Sequence, residues 1–413
     1  MPPADRGFPR PDDVVVTGLG AVTPFGWGVS PFWEGMRRGA TAIGPFSRFD
    51  ASRHRTHVAA EVPPGDGAVP AVPRLSLADS FAVASAREAV AAAALPLELC
   101  GARTGVFFGS SAGGMLEGEW FYEAHIHRGA RHARRGLVSS QQFNGPGDAV
   151  ARALRVGGQV ETISSACASA AMAIGAALRA LRRGDVEVAL AGGSDALCQL
   201  TYAGFNALRS VDEAPSRPFR RDRTGLSLGE GAGVLVLETM AHAAERGARP
   251  IVRLAGEAAT CDAHHMTAPH PEGLGASDAI LRALADASLE AADVDFVNAH
   301  GTGTPLNDAS EAAALKVVFG DRVGAIPVTS TKALIGHLLG SAGAVEAVAT
   351  VLCLARREVH PMPDTGEFDA ELGLDLVLGT PRPLPHGSCA ISTSLAFGGA
   401  NAVLVFARNE AAR

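Results

Sequence analysis

Ten short runs of β-branched and small residues punctuate this chain, and their spacing limits its fold more than any other feature. In the first half they are Val14–Gly18, Thr104–Gly109, Val160–Ile163, Val186–Gly192 and Gly233–Leu237. In the second half they are Ile251–Ala255, Val294–Asn298, Ile326–Thr329, Cys389–Thr393 and Ala402–Phe406. Each has the length of a buried strand, and several stop at glycine. Alanine-rich stretches of helical length, such as Asp79–Ala94 and Ala168–Arg183, lie between several of them. Strand runs alternating with helical ones predict an α/β fold with largely buried sheets. The 413 residues, 47% hydrophobic and 19% charged, supply the core this needs, and 48 glycines suit tight packing and many turns.

One strand–turn–helix pattern occurs twice. Val160–Cys167 leads into a small-residue helix ending Leu181-Arg182-Arg183, and Ile326–Lys332 leads through a loop into one ending Leu354-Ala355-Arg356-Arg357. Basic last turns suit the negative end of a helix. The echo predicts two similarly built halves, residues 1–250 and 251–413, whose strand-end loops face one shared site. Met1 to Asp12, rich in Pro, Arg and Asp, reads as a loose tail.

Composition narrows the function. Two tyrosines and three tryptophans give no stacking surface for nucleic acid, and a net charge of −7 gives no general case for a polyanionic partner. Six scattered cysteines without a CxxC pair, and no signal peptide, read as reduced thiols in a cytoplasmic protein. No uninterrupted apolar run of spanning length is expected, so no membrane contact is assigned.

Cys167 stands in Ser164-Ser165-Ala166-Cys167-Ala168-Ser169-Ala170, where a strand meets a helix. Small neighbours permit a sharp turn that presents the sulfur, and a helix N-terminus favours its thiolate and leaves N–H groups free to hold an oxyanion. His300 follows a strand in Asn298-Ala299-His300-Gly301-Thr302-Gly303-Thr304-Pro305-Leu306-Asn307-Asp308, and His337 follows another in Lys332-Ala333-Leu334-Ile335-Gly336-His337. Glu346, in the next helix, is placed to pair with Lys332. A helix-start cysteine with two histidines in glycine-flanked strand-end loops is a catalytic set rather than three structural residues. The cluster Cys261-Asp262-Ala263-His264-His265-Met266-Thr267, with His270, resembles a metal site, but its spacing fits neither a zinc ribbon nor an HExxH helix; no metal is expected.

These motifs, with Val16–Gly26, Gly229-Glu230-Gly231-Ala232-Gly233 and Gly336-His337-Leu338-Leu339-Gly340-Ser341-Ala342-Gly343, resemble the β-ketoacyl synthases. The likeness is to the elongating type II enzymes of bacterial fatty-acid and polyketide synthesis, and it runs from about Val14 to Phe406. It implies a thiolase-like fold, two βαβαβαββ halves in αβαβα layers, normally an intimate dimer. It implies that Cys167 takes an acyl group from the phosphopantetheine arm of an acyl carrier protein. His300 and His337 then stabilise the enolate formed when malonyl-carrier loses CO₂, and the backbone of Cys167 and Phe397 holds the second oxyanion. No metal or organic cofactor is implied.

By the same resemblance Lys332, Glu346 and Asp308 support the site, Thr302 and Thr304 contact the arm, and His265 and Thr267 line its path. Acidic carrier proteins would dock on the basic run His125–Arg135, through Arg128, Arg131 and Arg134, and on Arg209. Two departures stand out. Ala396 replaces a family glycine beside the gating Phe397, which is expected to stiffen the gate wherever positive φ is needed. Ala112 stands where fatty-acid enzymes often carry isoleucine, which is expected to widen the acyl tunnel. Together they point toward polyketide or polyene chains, with a fatty-acid-elongating synthase as the alternative. A non-catalytic chain-length partner subunit would lack the cysteine. A thiolase would need a Cys-x-Gly motif that Cys389-Ala390-Ile391 does not provide.

Overall fold

The computed structural model describes residues 10–65, 75–96, 101–139, 141–385 and 387–408. Most of the Met1–Asp12 tail therefore lies outside the described residues. The first-half strands are β1 (Val14–Thr23), β2 (Thr104–Gly109), β3 (Val160–Ile163), β4 (Val188–Asp195) and β5 (Gly231–Thr239). The second-half strands are β6 (Val252–Cys261), β7 (Phe296–Asn298), β8 (Pro327–Thr329), β9 (Asp375–Leu376), β10 (Cys389–Leu395) and β11 (Ala400–Ala407). They hydrogen-bond in the order β9-β8-β7-β10-β11-β6-β1-β5-β4-β2-β3, with the two-residue strand Gly26–Trp27 added to β1.

That order is one motif used twice. In the first half β1 pairs antiparallel with β5, β5 antiparallel with β4, β4 parallel with β2, and β2 parallel with β3. In the second half β6, β11, β10, β7 and β8 repeat the same sequence of directions. The halves join where β1 meets β6, in a two-residue antiparallel register of Val15 with Arg253 and Val16 with Val252.

Helices complete the layers. α1 (Leu77–Ala92) and α3 (Gly145–Leu154) pack on the outer face of the first sheet, and α6 (Leu274–Asp286) covers the second, with α7 (Pro305–Phe319) packed on α6. Between the sheets lie α4 (Ser169–Arg183) and α8 (Ala342–Arg356), which touch each other and both sheets. The result is the αβαβα arrangement the resemblance implied. α1 starts at a capping box: the Ser76 hydroxyl accepts from Asp79 N–H and the Asp79 carboxylate accepts from Ser76 N–H, both at 3.0 Å.

The largest core cluster is built on the inner layer, from Ile174, Ala177 and Leu178 of α4 and Val345, Val348 and Leu352 of α8. Leu339–Arg356 reaches 18 residues at a mean hydropathy of 1.4, though Gly340, Gly343 and Glu346 interrupt it, and 89% of it is buried. A helix enclosed on all sides by protein becomes apolar all round for the same reason a lipid-facing one does.

Candidate active site

Cys167 lies where β3 turns into α4 and is 8% exposed. The turn is tight enough to hold Ala166 at φ 45°, the left-handed region a side chain rarely adopts. Ser169 staples it: its hydroxyl donates to the Ala166 carbonyl at 2.6 Å and accepts from Ser165 N–H at 2.8 Å. A Cβ at Gly109, at the end of β2, would stand 2.1 Å from Ala170 N, so glycine is what lets the sheet edge reach the start of α4.

The second half delivers the histidines. His300 follows β7 and His337 follows the short helix Lys332–Ile335, both almost fully buried. Their rings stand 5.3 Å apart and nearly perpendicular at 87°. One ligand-type atom from each of Cys167, His300 and His337 lies within 4.8 Å of the others. Three residues far apart in the chain thus line one cavity of about 320 Å³.

Hydrogen bonds assign the imidazole protons. His337 Nδ1 faces the Leu339 N–H at 3.1 Å, and His300 Nδ1 faces Lys332 Nζ at 3.1 Å. Both partners are donors, so each Nδ1 accepts and each Nε2 carries the hydrogen. His337 Nε2 has no partner among the described residues, although it is buried. Burial, and then the Lys332 charge, holds both imidazoles well below the usual histidine range, so they are neutral N–H donors at pH 7. A Cys-His-His trio could in principle hold a zinc ion. Here the Nε2 lone pairs are protonated and the Nδ1 atoms occupied, so the site fits an anion better than a cation.

Lys332 forms the expected ion pair with Glu346, both almost completely buried. Burial raises Glu346 and Lys332 opposes that rise. Asp308 is buried under the histidine loop, where it accepts from Phe219 N at 2.7 Å, Thr302 N at 3.1 Å and Gly303 N at 3.2 Å. Gly301 sits at φ 37°, where a Cβ would meet Phe219 and Ser330 at 2.8 Å. The Thr302 and Thr304 hydroxyls are 2.9 Å apart and both residues line the cavity.

Two positioning residues escaped the sequence reading. The Glu311 carboxylate accepts from His300 N and Gly301 N, both at 2.8 Å, and from the Thr393 hydroxyl at 2.6 Å. Thr393 Oγ1 also accepts from His300 N at 3.0 Å. Burial pushes Glu311 up to about 7. A glutamate inside the run Ser310-Glu311-Ala312-Ala313-Ala314 was the available signal, since a lone acid on a buried helix face must have partners.

The Phe397 backbone N–H favours the Cys167 thiolate, a smaller influence than burial, and the Phe397 ring stacks on Phe205 with centroids 5.7 Å apart. Positive φ falls on Gly398 and Gly399, not on Ala396, whose N–H donates to the Ala400 carbonyl at 2.8 Å. The alanine therefore imposes no left-handed strain here, and the stiffening expected from it is not required by this conformation. The thiol also departs from expectation. Burial pushes Cys167 up to about 11, outweighing Lys332 and the N–H groups of Phe397 and Cys167. Cys167 therefore rests as a thiol, not a thiolate.

Other expected residues divide. Thr267 lines the cavity, while exposed His265 accepts from Thr267 N and Ala268 N at 3.1 Å and so shapes that loop. Arg209 is exposed and lines the cavity. Arg128, Arg131 and Arg134 are exposed outside the lining, at the end of α2 (Met115–Arg128) and in the turn beyond it. Ala112 does not line the cavity; it is fully buried among Leu116, Leu197 and Leu339.

Comparison with known proteins agrees with this geometry. The β-ketoacyl synthase N-terminal domain model matches residues 11–243, and the C-terminal domain model matches residues 251–365. The 3-oxoacyl-[acyl-carrier-protein] synthase 2 of Synechocystis sp. is 38% identical over 96% of this chain and 98% of its own. That of Staphylococcus aureus is 36% identical over 96% and 99%. Among solved structures, the ishigamide ketosynthase/chain length factor superposes with a TM-score of 0.91 at 33% identity, covering 96% of this chain and 99% of that one. A type II polyketide ketosynthase complex with its acyl-carrier protein, bound to the hexaketide, gives a TM-score of 0.89 at 30% identity, covering 97% and 100%. Two matching domain models and relatives aligned end to end establish that this chain belongs to the β-ketoacyl synthase family.

Proposed function

We propose that this chain condenses a carrier-bound acyl group with malonyl-carrier by decarboxylation, yielding a β-ketoacyl-carrier. The carrying observation is that one ring nitrogen from each of two neutral imidazoles and Cys167 Sγ lie within 4.8 Å of one another. In the first step the sulfur attacks the acyl thioester. A new C–S bond forms at Cys167, the bond to the pantetheine sulfur breaks, and the proton of the Cys167 thiol leaves with pantetheine. The N–H groups of Cys167 and Phe397 hold the oxyanion. In the second step the malonyl C–C bond breaks, CO₂ departs, and the electron pair becomes an enolate whose oxygen accepts from His300 and His337. Each such donor is typically worth about 3–4 kcal/mol of barrier. In the third step the enolate carbon attacks the acyl-Cys167 carbonyl, the C–S bond breaks, and Cys167 leaves as a thiolate that takes a proton from water. Loss of CO₂ drives the bond formation, so the two thioesters suffice as reactants. Thr302, Thr304 and Thr267 flank the arm, and Arg209 guides the acidic carrier to the mouth.

The pathway reading is type II polyketide or polyene synthesis. It is supported by likeness to the ishigamide ketosynthase/chain length factor and to the ketosynthase bound to the hexaketide. In that reading the chain works in the cytoplasm beside a related subunit, its halves dividing near residue 250. The 38% identity to a 3-oxoacyl-carrier synthase 2 favours fatty-acid elongation as the second reading. Intact-protein mass spectrometry after incubation with saturated and polyunsaturated acyl-carriers decides between them. Preferential polyene loading on Cys167, lost in Cys167→Ala, is expected. A plain saturated-chain profile would turn the pathway reading to fatty acids, and full loading of Cys167→Ala would overturn the mechanism.

A further inference from the structure

One carboxylate of the first half is enclosed by donors that all belong to a single loop. Asp195 ends β4 and is fully buried. Its Oδ1 accepts from the Ser110 hydroxyl at 2.7 Å, Ala112 N–H at 2.8 Å and Gly113 N–H at 3.0 Å. Ser111 N–H lies 3.1 Å from both carboxylate oxygens. Three successive backbone N–H groups around one anion fix the loop that follows β2. None of the condensation steps involves Asp195, yet burying a carboxylate is costly, so the loop it builds needs a reason to be held this firmly.

Ser111 carries the effect across to the second half. Its hydroxyl donates to Asp195 Oδ2 at 3.3 Å and accepts from Gly340 N–H at 2.8 Å. Gly340 is pressed against the loop: a Cβ there would stand 2.6 Å from Ser111 N and 2.8 Å from Asp195 Oδ2. Its neighbour Leu339 holds φ at 54°, a left-handed conformation that costs a residue with a side chain about 1–2 kcal/mol. The Leu339 side chain is buried in the same cluster as Ala112, so packing and hydrogen bonding secure one joint. Leu339 is also the residue whose N–H donates to His337 Nδ1 at 3.1 Å. The bond at Gly340 thus helps to keep the Leu339 backbone in the conformation that aims its N–H at the imidazole. If that N–H turned away, Nδ1 would be free to take the hydrogen, and Nε2 would present a lone pair to the enolate instead of a donor.

We propose that Asp195 and Ser111 are positioning residues for His337: the loop they build sets the Leu339 backbone, and with it the tautomer that donates to the enolate. The catalytic consequence rests on the condensing-enzyme reading above. It makes the two halves interdependent, since a loop after β2 governs an imidazole delivered after β8.

Ser111→Ala removes the relaying hydroxyl at a half-buried position and should fold. Long-range proton–nitrogen NMR spectra of the full chain, isotope-labelled at histidine, read the tautomer, with His337 assigned by its absence in His337→Ala. The wild type is expected to show Nε2 protonated and Nδ1 bare. Ser111→Ala should draw the two nitrogen shifts together as the other tautomer gains population. Its CO₂ release from malonyl-carrier should fall about tenfold, short of the roughly 10²–10³-fold loss expected when a donor is deleted. Loading of Cys167 from an acyl N-acetylcysteamine thioester, read by intact mass, should keep its wild-type rate. Asp195→Asn puts an amide N–H₂ among these donors and, read on the folded protein, should move both readouts further. Wild-type His337 signals and wild-type CO₂ release in Ser111→Ala, with only a lower denaturant midpoint, would overturn the proposal by making the network purely structural. An equal loss of loading and CO₂ release would overturn it too. Failure of wild-type Cys167 to load would instead defeat the condensing reading, while the His337 signals would still decide the tautomer.

Discussion

The two halves share one strand order yet contribute opposite chemistry. In the first, β3 runs into α4 through a turn held at φ 45° at Ala166, and the product is a single sulfur framed by backbone N–H groups. In the second, β8 runs through Lys332–Ile335 and a looser path, with Gly336 at φ 71° and Leu339 at φ 54°, before α8 begins. That longer route carries Lys332 and His337, and α8 supplies Glu346. A short turn presents one sulfur, whereas a long one leaves room for a buried ion pair and an imidazole. Duplication thus supplied the scaffold, and loop length divided the labour.

The largest expected effect tests the second half. Lys332→Met removes one member of a buried ion pair and strands Glu346, which should cost about 3–5 kcal/mol of stability, read as a lower denaturant midpoint. A neutral result would mean that the pair adds nothing to the long loop. Next in size, His337→Ala should slow condensation by about 10²–10³-fold while acyl loading of Cys167 continues. Loss of loading to the same extent would break the division of labour between the halves.

Glu311→Gln sharpens the comparison, because the histidine loop is held by a carboxylate with only donors around it. One amide N–H₂ would then face a backbone N–H, at a cost of about 1–3 kcal/mol in His300 positioning, measured in kcat. The same variant carries a pH signature. Glu311 is raised to about 7 in the fold against 4.5 in the open chain, so below pH 4.5 both states are protonated and no stability is lost. Between 4.5 and 7 the unfolded chain ionises first, and stability falls with rising pH until the folded group ionises too. Glu311→Gln should flatten that slope in thermal melts recorded from pH 5 to 8. The smallest effect belongs to the first half: Ala166→Gly should relieve left-handed strain and raise stability by about 1 kcal/mol. An unchanged or lower melting point would show that the turn stores no strain.

Much of this was written locally. Strand runs, the helix after Cys167 and the glycine-flanked histidines each announce themselves within a dozen residues, because period and turn chemistry are short-range properties. The Lys332–Glu346 pair was legible for the same reason, lying a few turns apart. The roles of Glu311 and Thr393 were not, since nothing in either segment names the other. Ala396 misled because its backbone conformation depends on which neighbours take the positive φ. Cys167 misled because position at a helix start argues for a thiolate, whereas enclosure argues for a thiol, and enclosure is the stronger influence here.

By itself, then, the chain determined its elements, its duplicated plan and the identity of its reactive side chains, all consequences of local pattern. Only the tertiary structure decided which ring nitrogens bear hydrogen, how far the sulfur is shielded from water, and which arginines line the cavity and which stand outside it. Those properties arise from groups brought together across the whole length of the chain, and the dielectric and hydrogen-bond partners they meet there exist only once it has folded.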